Sequence, residues 1–308
     1  MKTLAEITHY YKTKLHQPLI NLEKQRIKIK KRVNTQVSII LFFTIFINFV
    51  IAQKFQMDFL FYLVFTIISI ALAYSLTSKH YTKSYISEFK DKILIPLVKY
   101  VDKSLIYKKE KHIDIQTYQE SKVQLEAITN YKGSDFLYGN INGVNVKSSE
   151  LVVSHRKHGE SELSFWGLFV KAEFPKHFQA HTIIHRKTSP LLQAHKLSDE
   201  YEHISMDSPL FNKEFIVYST DAIEARYILS LTLMERLIEY TKEVDFPTTI
   251  SFVKGNIYLL NQCGEVLEPS LQKSLLRNDV AKSYALSLSF SVNLVAILHL
   301  NDRLWSKY

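Results

Sequence analysis

The chain has 308 residues, a formal net charge of +9 and a single cysteine, Cys263. One cysteine excludes an intrachain disulfide and a cysteine-rich zinc site, and it fits a reducing compartment. Residues 1–32 carry nine Lys or Arg against two Glu, a charge of +7, so the rest of the chain has only +2. That remainder lacks the basic excess with which proteins follow a phosphate backbone, and nucleic acid is therefore not an expected partner.

Residues 1–32 are predicted to form a basic juxtamembrane helix. Apolar side chains recur at helical spacing with Lys on the other face, and Pro18 is expected to start a new helix or to kink this one. Basic residues next to an apolar stretch are typical of the cytoplasmic flank of a membrane helix and suit anionic headgroups. They are Lys28, Lys30, Lys31 and Arg32. The alternatives are a specific lipid-binding site and a helix that packs on the domain or lies at the lipid surface.

Residues 33–78 are predicted to form a transmembrane hairpin of two helices. Val37–Ala52 and Phe59–Ser78 contain no charged residue, and an apolar helix needs about 20 residues at a rise of ~1.5 Å to cross the hydrocarbon. A cleaved signal peptide is not expected, because the first apolar run begins late and a second follows directly. Basic residues flank both outer ends, whereas the connecting loop has Lys54 alone. The positive-inside rule therefore predicts that both termini are cytoplasmic.

After the hairpin, the pattern predicts a helical stalk, residues 79–107, and a cytoplasmic α+β domain, residues 108–308. The stalk follows the 3.6-residue period, and Pro96 implies a kink. The predicted fold class is α+β: an N-terminal two-helix transmembrane hairpin, the stalk, and a mainly antiparallel sheet domain with two packed helices.

Turn residues mark the strands of the domain. Asn142-Gly143 suits the two positive-φ positions of a type I′ turn between strands, and Lys254-Gly255 marks a second hairpin. Leu163–Phe174 reads as a long strand with a bulge at Gly167. The two hairpin turns therefore predict antiparallel pairing of neighbouring strands in this region.

Two helices are predicted in the domain. Ala222–Thr241 reads as one helix that begins with Asp221 and Glu224 at the spacing of an N-cap and its partner. Residues 283–305 are ambiguous, because the long uncharged run makes a third membrane span an alternative on length alone. Six polar side chains make this run too polar for a single helix in lipid. A helix packed on the domain is therefore preferred.

Four stretches match the pattern of a known group. They are Tyr138–Val144 with Ser149-Glu150, Phe165–Phe169, Phe211–Ser219, and Glu224–Leu229 followed by Leu233–Leu237. With them, the chain resembles a bacterial two-span membrane protein family catalogued as a domain of unknown function and sometimes labelled galanin-like. The resemblance covers most of residues 33–305; it implies a bacterial origin, the two spans and a cytoplasmic α+β domain, but no reaction. The family usually has Thr-Pro where this chain has Ser230-Leu231, which affects local helix geometry.

Three histidines are the strongest candidates for a metal site. His177, His181 and His185 are four residues apart, which on a helix would place all three on one face. Lys176 and Arg186 crowd this stretch, and the β-branched residues between the last two histidines favour a strand. A ligand set also needs supporting partners that the sequence does not offer, so metal binding is not expected.

Two further groups each have a functional and a structural interpretation. Glu224 and Arg226 suit either a surface ion site near a helix start or a cap with a structural salt bridge, and the second is favoured. Phe165, Trp166 and Phe169 are read as core packing in preference to a ligand-stacking platform. Because the chain has only seven glycines and no nucleotide-binding, esterase or metalloprotease motif, no catalytic, cofactor-binding or metal residue is assigned and no cofactor is predicted.

The predicted function is a membrane-anchored cytoplasmic interaction or sensing module of the bacterial inner membrane. Its expected partners are the lipid bilayer and a protein of unknown identity. The alternatives are a membrane-tethered enzyme of unknown class, which no motif supports, and a small transporter or channel subunit. Neither predicted span has an ionisable residue, which argues against a pump or channel formed by the hairpin alone.

Overall fold

The computed structural model describes residues 2–54, 59–157, 159–173, 178–192, 198–243 and 246–297. Contacts divide the chain into two compact units. The helical unit consists of Thr8–Leu97 with Glu268–Lys282, and the sheet unit consists of Met1–Ile7, Val98–Leu267 and Ser283–Tyr308.

Long helices make up the N-terminal third of the chain. They are α1 (Leu4–Thr13), α2 (His16–Lys54), α3 (Phe59–Phe89) and α4 (Ile95–Val101), with a π-helical turn at Lys90–Leu94 before α4. At ~1.5 Å per residue, α2 is about 58 Å long and α3 about 46 Å, which exceeds the ~30 Å of a bilayer's hydrocarbon. Pro18 lies in the first turn of α2, where its missing N–H costs no helical hydrogen bond.

The π-helical turn lies at the predicted kink. Pro96 cannot donate to the carbonyl four residues before it, and the N–H of Ile95 bonds five residues back, to the carbonyl of Lys90. The helix ends at Val101, earlier than the predicted end of the stalk, because Ile106–Lys108 pairs as a strand.

The helices α2 and α3 pack side by side in opposite directions. Residues buried on α2 are separated by four, seven, eleven and four positions, which are sums of the three- and four-residue spacings of a coiled-coil seam. They include Leu22, Arg26, Val33, Thr44 and Asn48. Asn48 Nδ2 donates to Thr66 Oγ1 at 2.8 Å, and Gln36 Nε2 donates to the Tyr81 hydroxyl at 2.8 Å. These polar pairs set the register of the two helices.

The outer faces of the apolar stretches are exposed. Only 11% of the apolar stretch in α2 and 6% of that in α3 is buried. Large side chains such as Phe42, Phe46 and Phe59 are 57 to 80% exposed. Both helices are long and apolar enough to cross a membrane, and they lack the cover that the core helix of a soluble protein has.

The described strands of the sheet unit form one nine-stranded antiparallel sheet. They are β1 (Ile106–Lys108), β2 (Ile128–Ile141), β3 (Val144–Lys157), β4 (Glu160–Glu173), β5 (Thr182–Arg186), β6 (Glu202–Ile204), β7 (Phe215–Ser219), β8 (Thr248–Val253) and β9 (Asn256–Asn261). Their order is β1-β2-β3-β4-β9-β8-β5-β7-β6, and every neighbouring pair is antiparallel. The predicted α+β class with a mainly antiparallel sheet is confirmed.

Both predicted hairpin turns have the backbone that the sequence demands. The φ angles are 49° and 89° at Asn142-Gly143, and 49° and 68° at Lys254-Gly255. Positive φ at both central residues is the signature of a type I′ turn. These turns join β2 to β3 and β8 to β9.

Gly167 is not the predicted bulge. It pairs in register with Leu151, and the register shift of this strand pair falls at Val153 and Ser154. Glycine is required for a different reason: a Cβ here would lie 2.0 Å from the carbonyl oxygen of Asn261. The backbone at Asn261 therefore lies too close to Gly167 for any side chain to fit there.

Shorter helices accompany the sheet, and a longer one follows it. They are α5 (Ile115–Glu120), α6 (Pro209–Glu214), α7 (Ala222–Ile228), α8 (Leu231–Glu243) and α9 (Asn278–Ile297). The prediction of one helix over residues 222–241 is wrong, because Leu229 leaves helical geometry with φ −86° and ψ 66°. Ser230 starts α8 by accepting the N–H of Leu233 at 3.4 Å. A Thr-Pro pair at Ser230-Leu231 would also begin a helix here, so the departure from the family pattern leaves the start of α8 in place.

The C-terminal stretch is helical where the structure describes it. Tyr284, Ala285 and Leu288 of α9 are buried, as the preferred packed helix requires. Among the described residues, only α2 and the α3–α4 stretch are long and apolar enough to span a membrane. The remainder of the predicted run, beyond residue 297, lies outside the described residues.

Candidate functional site

A surface groove of about 1060 Å³ lies in the sheet unit, between α7, the β8–β9 turn and the residues before β5. It is lined by Phe178, Gln179, Asp221, Ile223, Glu224, Tyr227, Lys254 and Gly255. Half of these residues belong to α7 or its cap. The short helix therefore decides the shape of this groove.

Two acidic residues at the start of α7 organise the groove. Asp221 accepts the N–H groups of Ile223 and Glu224 at 2.8 and 3.0 Å, so the predicted cap is present. The predicted capping-box partner acts elsewhere: the carboxylate of Glu224 accepts the N–H groups of Gln179 at 2.8 Å and Ala180 at 2.6 Å. Glu224 thus ties the residues before β5 to α7 and fixes two walls of the groove.

Among the described residues, Arg226 does not form the expected salt bridge. Its guanidinium donates to the carbonyl of Ser205 at 3.4 Å, and within the described part of the chain it has no ion pair with Glu224. Because the Glu224 carboxylate is satisfied by backbone donors, a surface ion site at these two residues has no support in the geometry.

Two large side chains form the exposed edge of the groove. Ile223 is 83% exposed and Tyr227 is 56% exposed, and their i, i+4 spacing places them on one face of α7. Large apolar side chains beside a concavity are typical of a surface that binds another protein. Sequence reasoning missed these residues, because an apolar helix residue reads as core until the tertiary structure leaves it uncovered.

The two described histidines lie apart in the interior. Both are almost fully buried, at 2% and 0% exposure for His181 and His185. They are four residues apart in an extended stretch, so about 13 Å separates them along the chain. No group of three metal-ligating side chains is found in the described residues. His177 lies outside them.

His181 belongs to a buried hydrogen-bond chain. Its Nδ1 is 2.6 Å from the Tyr201 hydroxyl and its Nε2 is 2.8 Å from Ser251 Oγ. The Ser251 hydroxyl donates to the carbonyl of Ser121 at 2.5 Å, so Nε2 donates to Ser251 and Nδ1 accepts from Tyr201. Burial raises the pKa of Tyr201 to about 12. The histidine is not positioned as a base for Ser251, because the serine proton points away from it.

The proposed aromatic platform is divided between the two faces of β4. Phe165 and Phe169 are fully buried and pack in the core with Tyr118 and Tyr258. Trp166 is 43% exposed on the opposite face. The favoured interpretation as core packing therefore holds for the two phenylalanines.

Two buried carboxyl groups meet where β2 bulges against β3. The register shifts between Ser134 and Leu137, and Asp135 lies at φ 61° with 1% exposure. The Tyr107 hydroxyl and the Ser134 hydroxyl donate to its two carboxylate oxygens. Glu150 pairs with Ser134 across the strands and is 6% exposed.

Glu150 accepts hydrogen bonds from the backbone of the segment that follows β9. Its Oε1 accepts the N–H groups of Val266 at 2.5 Å and Leu267 at 3.0 Å. Burial, reinforced by the negative charge of Asp135, raises the pKa of Glu150 to about 8. Burial likewise raises the pKa of the nearby Cys263 thiol to about 12, which favours the protonated thiol over the nucleophilic thiolate at neutral pH. The sequence did not predict the pair of Glu150 and Asp135, because a single Glu in an alternating strand is typical of a solvent-exposed position.

In the helical unit, two residues of α2 hold the segment after residue 267. Arg26 donates to both oxygens of Glu23 at 2.7 and 3.0 Å and to the carbonyl of Leu271 at 2.6 Å. Glu23 also accepts the N–H of Leu275, whose carbonyl accepts from the Tyr11 hydroxyl, both at 3.1 Å. These buried and partly buried contacts fasten Glu268–Lys282 to the N-terminal helices.

Residues 163–300 match the model of a family described as a protein of unknown function (DUF3137). The match confirms the resemblance to a domain of unknown function within residues 163–300, and it does not test the two predicted membrane spans. Three of the four quoted stretches lie inside the matched residues, and Tyr138–Val144 with Ser149-Glu150 precedes them. The groove lies within the matched residues, whereas the two long apolar helices lie outside.

No curated protein matches the chain. Among solved structures, the chain is similar to the crystal structure of the mycobacterial trehalose monomycolate transport factor A, TtfA, at 12% sequence identity and a TM-score of 0.33. The similarity covers 65% of this chain and 93% of that one. A likeness at this level carries no functional information about the present chain.

Proposed function

We propose that the protein is a membrane-anchored interaction module. Its two long apolar helices cross the bacterial inner membrane, and its sheet unit binds a partner protein on the cytoplasmic side. The observation that carries the proposal is the exposure of the apolar stretches of α2 and α3, which are 11% and 6% buried. An exposed apolar surface of this length is stable in lipid and unstable in water.

The orientation of the proposed anchor rests on charge. Exposed basic residues flank the outer ends of both apolar stretches, as at Arg32 and Lys79, while Lys54, the last residue of α2, is the only basic residue between residues 33 and 78. Positive charges are retained on the cytoplasmic side during insertion. Both termini and the sheet unit are therefore proposed to be cytoplasmic.

The proposed partner contact is the groove of the sheet unit. We assign it to a protein segment with an apolar anchor, because Ile223 and Tyr227 offer exposed apolar area beside a concavity while most polar groups of α7 are already bonded within the chain. Aromatic and aliphatic anchors of this kind provide most of the binding free energy at protein interfaces.

The topology is tested by labelling cysteines placed one at a time in the Cys263→Ser chain. We expect a cysteine at Gln56, in the connecting loop, to react with an impermeant reagent on whole cells. A cysteine at Gln116, which is exposed in the sheet unit, should react only after lysis. The reverse pattern, or release of the protein from membranes by alkaline carbonate, contradicts the proposal.

The partner surface is tested by a photo-crosslinking residue at Ile223, with Leu125 as a matched position that is also exposed. We expect a discrete adduct from position 223 that is absent from position 125 and is lost on Tyr227→Glu. Adducts of equal yield at both positions count against the groove. Replacing the hairpin by an unrelated two-span anchor should preserve the adduct, since the helices are proposed to anchor and not to act.

A further inference from the structure

We propose that five basic side chains on α2 and α3 form a collar that binds the headgroups of anionic phospholipids. The basic collar consists of Lys28, Lys31, Arg32, Lys79 and Lys83, all of which are exposed. The inference rests on the proposed membrane anchor and names its lipid partner. Lys30, also basic in the sequence, is half-buried and is not included.

The register of the two helices brings the collar together. The bond between Gln36 and Tyr81 places these residues at one level. At ~1.5 Å per residue, Arg32 and Lys28 lie about 6 and 12 Å from that level, and Lys79 and Lys83 lie about 3 Å on either side of it. All five charges therefore fall within a band of roughly 15 Å, which the sequence alone could not show because it does not fix the helix register.

The collar begins where the hydrocarbon would end. From the Gln36–Tyr81 level towards the connecting loop, α2 continues to Lys54 for about 27 Å and α3 extends to Phe59 for about 33 Å. These lengths match the ~30 Å hydrocarbon core of a bilayer. If the apolar stretches span the hydrocarbon, the collar lies at the depth of the lipid phosphates on one side.

The charges of the collar are not neutralised by the protein. Within the described part of the chain, none of the five side chains has an ion pair or a hydrogen bond. Three basic residues beyond the collar are paired: Arg26 of α2 with Glu23, and Lys90 and Lys92 of the π-helical turn with Glu268 and Glu88. The five collar charges instead face solvent at the lipid boundary, where each Lys or Arg attracts an anionic surface by about 1 kcal/mol.

The test compares lipid selectivity in reconstituted vesicles. The full chain is inserted into phosphatidylcholine vesicles containing a minor fraction of phosphatidylglycerol, and spin-labelled lipids report the relative association constants of the two headgroups. The collar variant carries K28Q, K31Q, R32Q, K79Q and K83Q. The control variant carries the same charge change at exposed lysines of the sheet unit, K103Q, K111Q, K132Q, K187Q and K213Q.

We expect the wild-type chain and the control variant to favour phosphatidylglycerol by at least about fivefold, the factor that 1 kcal/mol represents, and the collar variant to show no preference. Equal selectivity in the collar variant and the wild type overturns the collar and leaves the anchor intact. If the control variant also loses selectivity, the selectivity comes from net charge, and this result likewise overturns the collar. Failure of every chain to insert into vesicles refutes the anchor itself, and the collar with it.

Discussion

The buried carboxyl pair allows a quantitative prediction through the substitution Glu150→Gln. Glutamine keeps the carbonyl oxygen that accepts the N–H groups of Val266 and Leu267, and it cannot ionise. Asp135 and its two hydroxyl donors stay in place. The substitution therefore removes one titration and leaves the packing of the bulge nearly unchanged.

The magnitude follows from the pKa of Glu150, which is about 8 in the folded chain against an ordinary value of 4.5. Between these two pH values the folded state holds one proton more than the unfolded state, so the free energy of unfolding falls by about 1.4 kcal/mol per pH unit as pH rises. Integrated over the whole window, the loss is on the order of 5 kcal/mol. This contribution to stability is fully present below pH 4.5 and lost above about pH 8.

The assay is reversible urea unfolding of the full chain in detergent micelles between pH 5 and pH 9, followed by circular dichroism. We expect the wild-type chain to lose stability across this range and Glu150→Gln to be less sensitive to pH, with the variant the more stable of the two at pH 8.5. Glu235→Gln, at an exposed position of α8, is the matched control and should behave like the wild type. An unchanged pH slope in Glu150→Gln refutes the reasoning, because the titration would then belong to other groups.

Three further predictions concern the packing of the sheet unit and of the helical unit. Gly167→Ala should destabilise the sheet unit by more than about 2 kcal/mol in the same unfolding assay, because a Cβ meets a backbone oxygen at 2.0 Å. The control Gly143→Ala, with open space around it, should cost only about 1 kcal/mol through its positive φ. Equal costs for the two substitutions would contradict the close approach at Gly167. Arg26→Ala should cost about 2 kcal/mol, because it removes the charge-assisted hydrogen bonds to the half-buried Glu23 carboxylate and to the carbonyl of Leu271. Arg277→Ala, at an exposed pair, should be neutral. A neutral Arg26→Ala would show that α2 does not hold the C-terminal segment. A fragment of residues 98–308, which keeps all nine described strands, should form its sheet, but hydrogen exchange at Glu268–Lys282 should be fast, since this segment packs with Thr8–Leu97 in the full chain. Protection equal to that of the full chain would contradict this packing.

The sequence by itself determined the features that depend on neighbouring residues. Two uncharged runs of membrane length gave α2 and α3, and Asn142-Gly143 and Lys254-Gly255 gave both hairpin turns. These signals are local, because helix periodicity and turn geometry involve residues only a few positions apart. The family resemblance was accessible for the same reason, since it rests on short stretches in a fixed order, and it is confirmed over residues 163–300.

Tertiary structure alone decided where polar and apolar side chains act. Glu224 was assigned to a capping box from its spacing, yet it holds the backbone of Gln179 and Ala180, which are distant in sequence. Asp135 and Glu150 form a buried pair only because a bulge turns one residue inward beside a particular cross-strand neighbour. The collar likewise needs the helix register that Gln36 and Tyr81 set. Contacts of this kind depend on which surfaces are covered and on which strands or helices become neighbours, and neither is encoded in the spacing of residues along the chain.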